Sequence, residues 1–291
     1  MKSVLVMVVC FLSIAAMAAE NHDLFRDDAS RPLQITEKST ETHGTVVVHD
    51  TSFSGVDGEK IDAYQVSPAG KGPFAGILFV HWLGEPATTN RSQFLNEAET
   101  LAGSGVASLL VNMPWSVPQW FETRKLDDDY DFSIRQVKNL RRALDVLSNV
   151  KGVDKRRIAL VGHDFGATYG AMLLGVDSRL RCAVLMAGTP ILSDWFLLDA
   201  KIAGQERENY IKKIAPLDPT NYVGKAKGPI LFQFSNKDEY IPKDKAQMFV
   251  EAAKSPKQVL WYDAGHGLNS QAGTDRDQWL KTHLKLEAGN H

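Results

Sequence analysis

Arg157-Ile158-Ala159-Leu160-Val161-Gly162-His163-Asp164-Phe165-Gly166-Ala167-Thr168 decides how this chain folds. Residues 157–161 form a short apolar run of buried-strand length, and the small residues from Ala167 onward open a helical pattern. Glycines bracket the junction because a strand that turns at once into a helix crowds its own backbone, leaving no room for side chains at 162 and 166. Asp164 stands at the apex of that turn, where the N-terminus of the following helix favours negative charge. Taken alone, the pattern is equally a tight turn with an aspartate N-cap.

The surrounding chain gives the turn its meaning. Apolar runs at 76–80, 107–112, 183–187, 230–234 and 258–262 join 157–161 as six strands. Helical patterns alternate with them: Phe94, Leu95, Ala98 and Leu101 share one face, as do Ile134, Val137, Leu140, Leu144 and Leu147, and as do Ala246, Phe249, Val250 and Ala253. A last amphipathic segment, 275–286, turns Trp279, Leu280 and Leu284 inward. Fully apolar strands alternating with helices predict an α/β fold, a mostly parallel sheet covered on both faces. Before this alternation, strand structure begins at 45–49, and 60–68, closed by Pro68-Ala69-Gly70, supplies the partner of an antiparallel pair. No repeat or flexible linker divides the chain, so 45–291 reads as one domain.

Residues 19–44 are polar and carry no sustained period, which predicts an extended or mobile leader. Ahead of them, Lys2, an apolar stretch over 4–15 and Ala16-Met17-Ala18 have the form of a signal peptide cleaved after Ala18, with a secreted or periplasmic product. The apolar stretch is too short for a membrane anchor. Cys10 would leave with it, so Cys182, in an apolar run, is expected to be a small core residue without a disulfide partner. A net charge of −2 offers no broad attraction for nucleic acid or an anionic membrane, and the basic run 151–157 is a solvated turn with Asp154 inside it. The expected partner is a small-molecule substrate. His163 and His266 lie apart, without the spacing of a ligand cluster, so neither a metal nor another cofactor is expected.

Two further residues complete a catalytic pattern. Asp238 follows the strand at 230–234, within Asn236-Lys237-Asp238-Glu239-Tyr240-Ile241-Pro242, and His266 follows the last strand, within Ala264-Gly265-His266-Gly267. Either alone has a dull explanation as a loop residue. In an open parallel sheet, however, the loops at the carboxyl ends of the strands converge, so Asp164, Asp238 and His266 can meet there.

With these motifs the chain resembles the α/β-hydrolase superfamily over residues 45–286. Its body is similar to the compact dienelactone-hydrolase-like members, while its elbow resembles haloalkane dehalogenases and epoxide hydrolases, in which aspartate replaces serine or cysteine as nucleophile. The resemblance implies the order nucleophile Asp164, acid Asp238, histidine His266. It also implies an oxyanion hole from the Phe165 amide and that of Trp82 or Leu83. Two departures stand out: the His-Gly-x-Pro pattern is absent from His81-Trp82-Leu83-Gly84, and Phe165 replaces the halide-binding tryptophan of many dehalogenases.

A carboxylate nucleophile suits an sp³ carbon, because it forms an ester that a histidine-activated water then hydrolyses, whereas an alkoxide would leave an inert ether. A departing halide needs amide or indole N–H donors, and an opening epoxide needs an acid such as tyrosine. Trp115, Trp120 and Phe121, with Trp195 and Phe196, follow strands on the same sheet edge and are expected to form the substrate pocket. Residues 189–227 are short for a full helical cap and predict a small lid. Three functions fit: hydrolysis of epoxides or organohalides through an alkyl-enzyme ester, hydrolysis of esters or lactones with Asp164 in an altered role, and binding without catalysis. His266 and Asp238 in their expected places count against the last.

Overall fold

The computed structural model describes residues 24–26, 30–84 and 90–286. The cleavable segment expected at 1–18 lies outside them. A single nine-stranded sheet runs through the molecule, built from β1 (Thr36–His43), β2 (Val46–Ser54), β3 (Lys60–Pro68), β4 (Phe74–Val80), β5 (Val106–Val111), β6 (Val153–His163), β7 (Leu180–Met186), β8 (Ile230–Ser235) and β9 (Lys257–Tyr262). The spatial order is β1-β2-β3-β5-β4-β6-β7-β8-β9. β1, β2, β3 and β5 pair antiparallel, and from β5 through β9 every pairing is parallel.

The central strands are buried on both faces, which is why 76–80, 107–111, 158–161, 183–186 and 230–234 read as apolar runs, interrupted only by buried Ser108 in β5 and Gln233 in β8. Side chains alternate between two cores. Leu78, Val80, Ile158 and Leu160 point into one, and Ile77, Phe79, Ala159 and Val161 into the other. The first core is closed by helices α3 (Asp129–Asn149), α4 (Phe165–Val176) and α8 (Lys243–Ala252), and the second by α1 (Leu95–Ala102) and α9 (Ser270–Leu284). Full burial of each aliphatic side chain contributes roughly 1.5–3 kcal/mol. Cys182 is buried in the second core as expected. The three short helices α5 (Leu192–Phe196), α6 (Gly204–Ile214) and α7 (Thr220–Val223) lie in the segment expected to form a small lid, and α2 (Trp120–Thr123) stands opposite, after β5.

The leader expected at 19–44 needs correction. Within it, Thr36–His43 is the edge strand β1, paired along its length with β2, so the folded domain does not begin at residue 45. All eight of its residues are exposed, so neither face imposes an apolar alternation, and its charged and hydroxyl side chains suit an unpaired sheet edge. Lys38 bridges to Asp62 on β3 at 2.8 Å. Further upstream, Phe25 is fully buried, its ring edge-on to Tyr222 at 5.5 Å. Two adjacent apolar residues, Leu24 and Phe25, set no period in a polar stretch, and their burial is decided by where the rest of the chain passes.

The topology places the site. β4 stands second in the parallel set, with β5 on one side and β6 on the other, so the loops after β4 and β6 leave the sheet at the point where strand order reverses. Such crevices accept ligands.

Candidate active site

Asp164 joins β6 to α4 with φ +57° and ψ −114°, a conformation costing about 1–3 kcal/mol in a non-glycine residue. The surroundings hold it there. The Asp164 amide donates to the Met186 carbonyl on β7 at 2.8 Å, and the Thr168 hydroxyl donates back to the Asp164 carbonyl at 2.9 Å. A Cβ on Gly162 would lie 2.3 Å from the Gly166 carbonyl oxygen, and one on Gly166 only 2.1 Å from that of Val80, so both positions require glycine. The strained turn directs a fully buried carboxyl group to the crevice end of the sheet.

The two carboxyl oxygens differ. Oδ2 accepts the Leu83 amide at 2.8 Å, and the Phe165 amide also donates to this carboxylate. Oδ1 is buried without a partner. Burial pushes the Asp164 carboxyl up to about 7, against the opposing pull of His266 and of the Leu83 and Phe165 amides. Between the two amides left open by the sequence, Leu83 is the donor: the Trp82 amide is already committed to Gln93 Oε1 at 2.9 Å.

His266 and Asp238 complete the group. The imidazole Nδ1–H lies 3.0 Å from each Asp238 oxygen, and Asp238 Oδ1 also accepts the amides of Tyr240 and Ile241 at 2.9 and 3.0 Å. Burial would raise the Asp238 carboxyl, but His266 and these amides outweigh it and hold it below its ordinary value. Burial would lower His266, yet the bond to Asp238 and the charges of Asp164, Asp238 and Glu239 outweigh it and raise it. His266 Nε2, like Asp164 Oδ1, is buried and unpartnered. The sheet therefore gathers all three residues singled out from sequence.

A polar relay that sequence reasoning did not find joins the three loops. Gln93, whose Oε1 holds the Trp82 amide, donates through Nε2 to His163 Nδ1 at 2.7 Å. His163 Nε2–H then donates to the His266 carbonyl at 3.1 Å. Burial drives His163 down to about 3, so it stays neutral and serves as a spacer between loops. His81 is similarly fixed, its Nε2 accepting the Met113 amide at 2.9 Å and its Nδ1–H donating to the Trp82 carbonyl at 2.8 Å. Gln93 precedes an apolar helical face and carries no motif of its own.

A cavity of about 730 Å³ opens over Asp164 and His266. Its aromatic walls are Trp82, Trp120, Phe121, Trp195 and Tyr240. Two of the expected pocket residues lie elsewhere. Trp115 is fully buried, donates its indole N–H to the His81 carbonyl at 3.0 Å and stacks on Phe165 and Tyr169. Phe196 is likewise fully buried and packs on Phe165 from below. Both support the cavity floor from the core; Trp195 and Phe196 are consecutive in α5 and so project from different sides of one helix. Tyr240 was not foreseen, although it sits two residues past Asp238; its ring stands edge-on to His266 at 5.1 Å. The small lid is fastened to the body at buried Asp129, which accepts the Tyr210 hydroxyl at 2.7 Å and pairs with Arg124 at 3.4 Å.

The profile of the dienelactone hydrolase family matches residues 123–282, more than half of the chain, a span that includes Asp164, Asp238 and His266. This chain belongs to the dienelactone hydrolase family. Other relatives are more distant. Acyl-protein thioesterase 1 of Gibberella zeae is 26% identical over 215 residues, covering 68% of this chain and 82% of that one. The acylamino-acid-releasing enzyme of Rattus norvegicus is 21% identical over 258 residues, 81% of this chain, and the chain spans only 35% of its length. Among solved structures, the acetyl xylan esterase of Paenibacillus sp. R4 superposes with a TM-score of 0.76 at 19% identity, covering 91% of this chain and 93% of its own. Acetyl xylan esterase 1 of Thermoanaerobacterium gives 0.77 at 18% identity, over 93% and 94%. At such identities the superpositions establish the α/β-hydrolase fold of this dienelactone hydrolase family member, with its mostly parallel sheet covered by helices on both faces.

Proposed function

We propose that this dienelactone hydrolase family member hydrolyses a bond at a tetrahedral carbon, with Asp164 as the nucleophile. The observation that carries the reading is the unequal state of the two Asp164 oxygens, Oδ2 held by the Leu83 amide and Oδ1 unpartnered beside an unpartnered His266 Nε2. Attack by Oδ1 forms the Oδ1–carbon bond as the leaving group departs with its electron pair. In the resulting ester the carbonyl oxygen is Oδ2, which already sits on the donors that stabilise an oxyanion. Water then attacks the carboxyl carbon while His266 Nε2 takes its proton. The tetrahedral oxyanion on Oδ2 collapses, and the Oδ1–alkyl group leaves as an alcohol with the proton returned from His266.

The electrostatics fit this sequence of steps. The Asp164 charge helps hold His266 in its raised state. Alkylation removes that charge, so the imidazole becomes easier to deprotonate at the step where a base is required. For the leaving group, the indole N–H groups of Trp82 and Trp195 are both buried without partners and belong to residues lining the cavity. Donors of that kind suit a departing halide, and Tyr240, which also lines the cavity, carries the hydroxyl that an opening epoxide needs, so this reading covers both substrate classes.

A second reading is ester or lactone hydrolysis, with Asp164 and His266 acting only as bases. The family match and the esterase and thioesterase names of the relatives support it. Substituting His266→Gln separates the two. Nucleophilic catalysis predicts that the variant, given a mixed panel of alkyl halides, epoxides and simple esters, accumulates an adduct on the peptide carrying Gly162 to Gly166. The unaltered enzyme, turning over in ¹⁸O-water, should gain heavy oxygen in Asp164. Neither adduct nor label, on a substrate that the unaltered enzyme consumes, would remove Asp164 as nucleophile.

A further inference from the structure

The cavity over Asp164 carries a charge pattern that the proposed chemistry does not use. Glu122, Asp199 and Glu239 line it from three different segments, α2, the lid and the loop after β8. All three are exposed, so they stand at its mouth. Among the described residues no lysine or arginine lines it, and His266 is its one basic side chain. Behind the rim, Asp238 is paired with His266, and Asp164 adds a further carboxyl group at the floor. The walls between rim and floor are aromatic faces, Trp120, Phe121, Trp195 and Tyr240 among them.

We propose that this cavity selects a substrate bearing an organic cation, a quaternary ammonium or protonated amine, attached to the carbon chain that Asp164 attacks. This rests on the reading of the cavity as the substrate site, and it names the class of substrate. An aromatic face attracts a cation through its quadrupole, most strongly where water is displaced. Carboxylates at a mouth with low-dielectric walls focus the field and draw cations in, and they repel a carboxylate-bearing substrate. The buried, unpartnered Asp164 Oδ1 and His266 Nε2 mark the floor as the place where the reacting carbon arrives. The positive group is then left among the rings, beneath the rim carboxylates. A quaternary ammonium has no N–H donor and a protonated amine keeps its donors for the rim carboxylates, while both are attracted to ring faces, so selection needs no ion pair of fixed geometry.

The test uses three unreactive probes of the same size and shape: choline, its neutral carbon counterpart 3,3-dimethylbutan-1-ol, and the anion 3,3-dimethylbutanoate. Binding to the unaltered protein is measured by titration calorimetry, with tryptophan fluorescence as a second signal. Choline is expected to bind about tenfold more tightly than the alcohol at low ionic strength, and the anion more weakly than either. The advantage should shrink several-fold in roughly 0.5 M salt, where exposed charges are screened. The combined Glu122→Gln, Asp199→Asn and Glu239→Gln variant should lose most of the advantage while binding the alcohol as before. Its exposed substitutions should leave the melting temperature unchanged, and should melting fall, the three single variants provide the same comparison. Equal affinity for choline and the alcohol would overturn the proposal, as would a preference for choline that survives removal of the three carboxylates. None of the probes carries a carbon that Asp164 can attack, so the outcome is independent of whether Asp164 is a nucleophile.

Discussion

Replacing Asp164 by asparagine should make this protein more stable and inactive. Asparagine is isosteric, tolerates the positive φ, and its side-chain oxygen can accept the Leu83 amide while its NH₂ faces His266 Nε2. It cannot ionise. Burial raises the Asp164 carboxyl from an ordinary 3.8 to about 7. At about 1.4 kcal/mol for each tenfold in proton affinity, the ionised carboxylate therefore costs the fold about 4 kcal/mol once pH exceeds 7. The direction follows from proton counting. Between 3.8 and about 7 the folded protein holds a proton that the unfolded chain has lost, so stability falls as pH rises through this window. Below 3.8 both states are protonated and the cost vanishes. Asp164→Asn should thus gain about 4 kcal/mol at pH 9, roughly 10 °C in melting temperature for a protein of this size, and less than about 1 kcal/mol at pH 4. Urea denaturation of both proteins at the two pH values measures it, with turnover assayed in parallel. A variant no more stable than the parent at pH 9, or one whose gain is the same at both pH values, would refute the claim that Asp164 is held against its own ionisation. Such a stored cost suits the nucleophile proposed above, a charge that water does not quench.

Two further outcomes follow from the same geometry. Because attack needs the ionised form of a carboxyl group raised to about 7, kcat/KM should climb about tenfold per pH unit below 7 and level off above it; a profile flat from pH 5 to 8 would show that Asp164 ionisation does not govern the reaction. Gly166→Ala would press a methyl group to 2.1 Å from the Val80 carbonyl oxygen, backbone against which nothing can give, and should cost about 3 kcal/mol or more by thermal melting; a melting temperature within about 2 °C of the parent would mean that the elbow is looser than described.

Much of the architecture was determined by sequence alone, because its signals are local. Strands buried on both faces are apolar at nearly every position, so β4 through β8 were visible as runs. The Gly162–Gly166 bracket is forced by backbone contacts within a few residues. Asp238 and His266 could be assigned because strand ends in a parallel sheet share one edge, whatever the intervening sequence. What the tertiary structure decided depends on contacts distant in the chain. Edge strand β1 is exposed on both faces, so hydrophobicity carries no trace of it, and its pairing partner β2 alone defines it. Leu83 rather than Trp82 faces the carboxylate because Gln93, eleven residues beyond Trp82, captures the other amide. Trp115 and Trp120 lie five residues apart in one loop after β5, yet one carries the floor and the other lines the wall. The direction in which an aromatic side chain points is set by the shape of the space that other segments leave for it, and that shape is written nowhere in its own stretch of chain.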